Sequence, residues 1–146
     1  MQKNGCDAEN PYEAARKDHF SSGSPEDAEL AADHYVRAIE LGSGEALNAL
    51  AGLILRNRDV FKSNPEKRMN IILKAAENGH VYAQRHAAGI HILSNENKDV
   101  EASKYWLRRA AAQGDLLSEY ILSEMEEVEA LRKFVSENHS IRNEQA

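Results

Sequence analysis

Cysteine occurs once in the 146 residues, proline three times, and aromatic residues make up only 6%. A single thiol, Cys6, cannot close a disulfide within the chain, and no neighbouring base in the sequence activates it as a nucleophile. Scarce proline leaves long stretches free to be helical, and scarce aromatics leave the core to Ala, Leu and Ile. Long apolar runs are missing too. The longest, "ALAGLIL" at 49 to 55, falls far short of the about 20 residues that span a bilayer. The opening "MQKNGCDAEN" holds no apolar stretch that could serve as a secretion signal, so a cytoplasmic location is expected. Nor is there an excess of positive charge: the net charge of -6 repels polyanions and argues against nonspecific nucleic-acid binding.

What the chain has instead is repetition. "RAIELG" at 37 to 42, "KAAENG" at 74 to 79 and "RAAAQG" at 109 to 114 are near-copies. Their glycines stand 37 positions (79 - 42) and then 35 positions (114 - 79) apart, the spacing of a helical repeat with an indel of two. Four positions before each glycine are Ala38, Ala75 and Ala110, and seven before are Tyr35, Ile72 and Leu107, which places both sets on one helical face. Glycine at the end of such a face supplies the left-handed stop of a helix. Fifteen positions earlier, Asp27, Asn64 and Asp99 are of the type that caps a helix start, with Ser24 before Pro25 an alternative for the first copy.

These signals predict B helices over about 27 to 41, 65 to 78 and 100 to 113. After each glycine a second phase repeats as Ala46, Ala83 and Ser118, then Leu50, Ala87 and Leu122. It predicts A helices over about 45 to 56, 80 to 93 and 115 to 136, with Asp115 capping the last, and "NPYEAARKDHF" reads as one more from Pro11 to Phe20. The A-to-B loops, "RNRDVFKSN" and "SNENKD", are polar. The third A helix continues through "EMEEVEALRKFVSEN", where Ile121, Met125, Val128 and Leu131 keep a stripe, and is expected to cap the stack. One domain over 1–146 follows, with repeats at about 8–42, 43–79 and 80–114, a capping helix at 115–138, and flexible tails at 1–7 and 139–146.

The "AA", two residues, "G" pattern at a period near 36, best in "YWLRRAAAQG" and "ILKAAENGHVYAQRHAAG", resembles the Sel-1-like repeat family over residues 24 to 127. The chain departs from that pattern in lacking a glycine-rich A-to-B turn. It also has Ile54, His91 and Glu126 where a tyrosine late in helix A is usual. The resemblance implies an all-α fold, a right-handed solenoid (α-α superhelix) of about three helix pairs related to tetratricopeptide repeats. It also implies an adaptor that binds a protein or peptide along its concave A-helix wall. Carrying the family's groove-facing phase over gives Glu45 and Asn48, then Tyr82, Arg85 and Ile92, then Leu117, Tyr120 and Glu124. Packing between helix pairs is the competing role for Tyr82, Leu117 and Tyr120.

No convergent reactive set competes with this reading. His86 and His91, five residues apart, point about 140 degrees away from each other on a helix, and neither HExxH nor CxxC occurs. No metal or cofactor is therefore expected. Glu124, Glu126, Glu127 and Glu129 read as a solvated helix face rather than as a general acid and base. "GSG" at 42 to 44 lacks the Lys and Ser/Thr of a phosphate loop. The basic run Arg56, Arg58, Lys62, Lys67 and Arg68 is diluted by Asp59 and Glu66. A non-catalytic protein-binding module is the expected function. The alternative is a cytoplasmic inhibitor or immunity-type protein whose acidic surface blocks a toxic enzyme.

Overall fold

Each B helix begins on a short polar side chain that fills an otherwise empty hydrogen-bonding position. In the computed structural model, which describes residues 10–21, 24–93 and 98–144, the caps are Ser24, Asn64 and Asp99. Their side-chain oxygens accept from the backbone N–H groups of Asp27, Lys67 and Ala102 at 3.2, 3.1 and 2.9 Å. The first copy thus starts at Ser24, the alternative to Asp27, because Pro25 takes the first helical position, where a missing N–H costs nothing. The described chain is all-α: α1 (Pro11–Ser21), α2 (Pro25–Glu40), α3 (Gly44–Arg56), α4 (Pro65–Glu77), α5 (Val81–Leu93), α6 (Val100–Ala112) and α7 (Leu116–Glu144). Among the described residues there is no strand.

The three repeated hexapeptides close α2, α4 and α6 in the same way. Gly42, Gly79 and Gly114 have φ of 91, 91 and 89°, and their N–H groups donate to the carbonyls of Ile39, Ala76 and Ala111. The next residue, Ser43, His80 or Asp115, sends its N–H back to Ala38, Ala75 or Ala110. Two carbonyls that a helix end would leave open are satisfied each time.

The residue after the glycine then serves the following helix as well. Ser43 Oγ, His80 Nδ1 and Asp115 Oδ2 accept from the N–H groups of Ala46, Ala83 and Ser118 at 3.3, 3.1 and 3.1 Å. Capping of α3 and α5 by Ser43 and His80 goes beyond the sequence expectation, which named Asp115 alone and placed His80 inside its helix.

By their internal contacts the residues form two compact units, Met1–His86 and Ala87–Ala146, so α5 begins in the first and ends in the second. In the first unit α1 packs on α2, α2 on α3 and α3 on α4. Its core is Ala31, Ala32, Tyr35, Ala46, Leu50, Ala51, Leu53, Ile54, Ile72, Ala75 and Ala76, all buried. Gln84 is buried as well, and its Nε2 donates to the Ala76 carbonyl at 3.0 Å, fixing α5 to the end of α4. In the second unit α6 packs on α7, and Trp106, Leu107, Ala110 and Ser118 are buried. Burying Tyr35, Ile72 or Leu107, the three equivalent bulky positions, stabilises by about 1.5–3 kcal/mol each, while the alanines around them let helices approach closely.

The segment between α3 and α4 is not the plain polar loop its composition predicts. Val60 is buried, Phe61 takes a positive φ of 56°, and the Arg68 guanidinium reaches back from α4. Its Nη2 donates to the Ile54 carbonyl at 2.8 Å, and its Nη1 donates to Val60 at 2.8 Å and Asn57 at 3.2 Å. The last turn of α3 is thereby closed by a residue of the next helix. The second A-to-B connector lies largely outside the described residues, as do the tail at 1–7 and the last two residues.

Two expectations for the C-terminal helix are corrected. α7 runs to Glu144 rather than ending near 138, and only its first part acts as cover. Ile121, Leu122 and Met125 are half-buried, but from Glu126 to His139 every residue is exposed, Val128 and Leu131 included. The physical reason is length: α6 has 13 residues and α7 has 29, so α6 flanks less than half of it.

Candidate protein-contact surface

The first turn of α5 is built around His80. Because Nδ1 accepts the Ala83 N–H, the imidazole must be neutral on that nitrogen. Burial, with the nearby Arg56 charge, pulls its pKa below the usual histidine value. Arg56 lies at the end of α3, its Nε donating to the Gly52 carbonyl at 3.2 Å. A Cβ added at Gly52 would stand 3.3 Å from Arg56 Nη2 and 4.0 Å from His80 Nε2. The absent side chain at Gly52 leaves room for both groups.

His80 in turn props Tyr82, edge to face, with ring centroids 6.2 Å apart. Arg85, one turn on, sets its guanidinium 5.2 Å from the Tyr82 ring centre. Tyr82 remains 60% exposed. A phenol ring held between an imidazole and a guanidinium has little rotamer freedom left to lose on binding, which raises the net return of a contact.

The other sequence-predicted residues divide between the units. In the first, Glu45 and Asn48 occupy one exposed turn of α3. In the second, Leu117, Tyr120 and Glu124 share one exposed face of α7, with Tyr120 at 61%. Ile92 stands apart in the last turn of α5 and is half-buried. The packing role weighed for Tyr82, Leu117 and Tyr120 does not hold, since all three are exposed. Trp106 is packed, as its place beside Leu107 suggests, and Arg109 covers it at 5.3 Å.

The basic run does not gather into an anion site. Arg68 is taken up by three carbonyls, Lys67 lies 4.5 Å over the Phe61 ring, and Lys62 pairs with Asp59 at 3.5 Å. Among the described residues no three His, Cys, Asp or Glu side chains are grouped so as to hold a metal ion. Among the same residues no helix is long and apolar enough to cross a membrane.

Two features escaped sequence reasoning. A cleft of about 400 Å³ opens between α2, α3 and α4, with Val36, Ile39, Leu47, Leu50 and Ile71 as its floor and Lys67 and Lys74 among its polar residues. Lys104 on α6 is buried, and its Nζ donates to Glu129 Oε2 on α7, so one of the four glutamates read as solvated is an ion-pair partner. Periodicity carries a signal for the cleft floor, which keeps helical spacing in each helix. It carries none for a pair 25 residues apart.

No protein-family model matches the chain, and no curated protein matches it. A solved structure does: a protective antigen present in uropathogenic Escherichia coli strains that displays an SLR fold, with a TM-score of 0.59 and 22% identity. The match covers 79% of this chain but only a quarter of the length of that one, 25%. Three glycine-stopped helices, three small-residue helices set behind them and this likeness converge: the chain has the Sel-1-like repeat fold.

Proposed function

We propose that the chain is a non-catalytic interaction module that binds a polypeptide through the exposed side chains of its A helices. The observation that carries this is the Tyr82–Arg85 pair: a pre-ordered, exposed aromatic beside a guanidinium, the two residue types in which binding energy concentrates. Glu45 and Asn48 in the first unit are further contact candidates, and so, within the second unit, are Leu117, Tyr120, Glu124 and the half-buried Ile92. Replacing Tyr82 and Arg85 together by alanine should weaken capture of the partner from the native cell at least tenfold and leave far-UV circular dichroism unchanged. Undiminished capture would refute the assignment.

The second reading is an inhibitor or immunity-type protein acting in the cytoplasm against a basic enzyme. It is favoured by Glu124, Glu126 and Glu127, exposed together on α7, and by the net charge of -6. Stoichiometric co-purification of a basic nuclease, lost on Glu124→Lys/Glu127→Lys and kept on the Tyr82 and Arg85 replacements, would select this reading over the first.

A further inference from the structure

The distal half of α7 presents an apolar face that stands exposed among the described residues. Val128, Leu131 and Val135 are 46, 63 and 63% exposed, and Phe134 beside them is 64% exposed. The Lys104–Glu129 ion pair ties α6 to the middle of α7. Beyond it the helix continues to Glu144, about four more turns. A contiguous exposed apolar patch of this kind marks an interaction surface, so the face calls for a partner.

Sequence spacing says what kind. Leu117, Ile121, Glu124, Val128, Leu131 and Val135 follow each other at intervals of 4, 3, 4, 3 and 4, the heptad seam along which two helices wind together. Ile121, Val128 and Val135 fall at one core position, and Leu117, Glu124 and Leu131 at the other.

Charge sets the direction. Glu124, Glu126 and Glu127 precede the apolar centre, whereas Arg132, Lys133 and His139 follow it, with Glu137 the one acid among them. Laid parallel, two copies would set acid against acid. Laid antiparallel about Leu131, Lys133 of each copy comes opposite Glu129 of the other, and His139 comes beside Glu124.

We infer that α7 pairs antiparallel with α7 of a second copy of this chain, centred near Leu131. With on the order of 100 Å² of accessible apolar surface on each of Val128, Leu131, Phe134 and Val135, the contact covers roughly 800 Å² in the two copies together. With the stems of Arg132 and Lys133 it reaches the lower end of stable interfaces, about 1,200 Å². Such an interface suits a weak, reversible dimer.

Sedimentation equilibrium of the full chain up to roughly 200 µM should show a monomer–dimer equilibrium in that range. Leu131→Lys/Val135→Lys should weaken it by at least about 30-fold at unchanged helicity. Arg132→Glu/Lys133→Glu, which leaves the apolar face intact, should weaken it about tenfold. In a Cys6→Ser background, chains carrying Glu124→Cys and chains carrying His139→Cys should oxidise to mixed cross-linked dimers. A monomer throughout the range, as expected if another protein or nothing covers the face, overturns the inference. So does a dimer indifferent to both double variants, or cross-linking of the Glu124→Cys chain to itself.

Discussion

Replacing Gly79 by alanine isolates the conformational demand of the repeat from every contact. Its φ is 91°, and no heavy atom lies within 4 Å of where a Cβ would stand, so the added methyl meets no clash and the only cost is backbone. For an L-residue held in the left-handed region that cost is about 1–2 kcal/mol. For a chain of 146 residues it lowers the melting temperature by about 3–7 °C. Valine, branched at Cβ, should cost about 2–3 kcal/mol at the same place. The matched control is Gly52→Ala. That glycine is helical, and the nearest obstacle to its Cβ is the far end of Arg56 at 3.3 Å, which can swing outward. The gain in helix propensity of roughly 1 kcal/mol should then leave Gly52→Ala as stable as the parent or slightly more so. Thermal unfolding followed at 222 nm compares the two directly. Equal shifts for Gly79→Ala and Gly52→Ala would refute the reasoning.

Arg68→Ala should destabilise by about 2–4 kcal/mol, because three carbonyls near the end of α3 lose a charged donor at once. Arg68→Lys, with one ammonium in place of a planar fork, should recover less than half of this in urea unfolding, and a loss below about 0.5 kcal/mol for alanine would remove the clamp from the account. His80 gives a pH dependence. Its folded pKa is depressed by burial and by Arg56, so the unfolded chain binds more protons in the window below the ordinary value near 6.5. Stability is full above that value and falls as pH drops through it toward the folded pKa. His80→Asn keeps a capping acceptor without a titrating ring, and its stability should be flatter than the parent's between about pH 7.5 and 5.5; parallel profiles would show that His80 does not titrate with folding.

The scaffold was legible because its signals are local. Gly42, Gly79 and Gly114 each needed a left-handed backbone, and the small residues behind them, Ala46, Ala83 and Ser118, are each buried. His80 as a cap was legible in principle from its alignment with Ser43 and Asp115, but an imidazole stands outside the usual hydroxyl and carboxylate capping set. Arg68 was not, since its targets lie as far as 14 residues upstream and nothing in a basic run distinguishes a donor to carbonyls from a ligand for phosphate. Val128 and Leu131 mark the limit of periodicity itself: a stripe shows that a helix has an apolar face, not that its own chain covers it.

The pair formed by each glycine and its successor has an evolutionary consequence. One residue, Ser43, His80 or Asp115, both closes the helix before it and opens the helix after it, so an insertion there would undo two helix ends together. The length variation falls in the opposite connectors. α3, α4, α5 and α6 all have 13 residues, whereas the stretch 57 to 64 is two residues longer than 94 to 99, which accounts for the whole difference between repeats of 37 and 35. Copies exchanged by cuts within the opposite connectors keep each glycine and its successor together with the two helix ends they join.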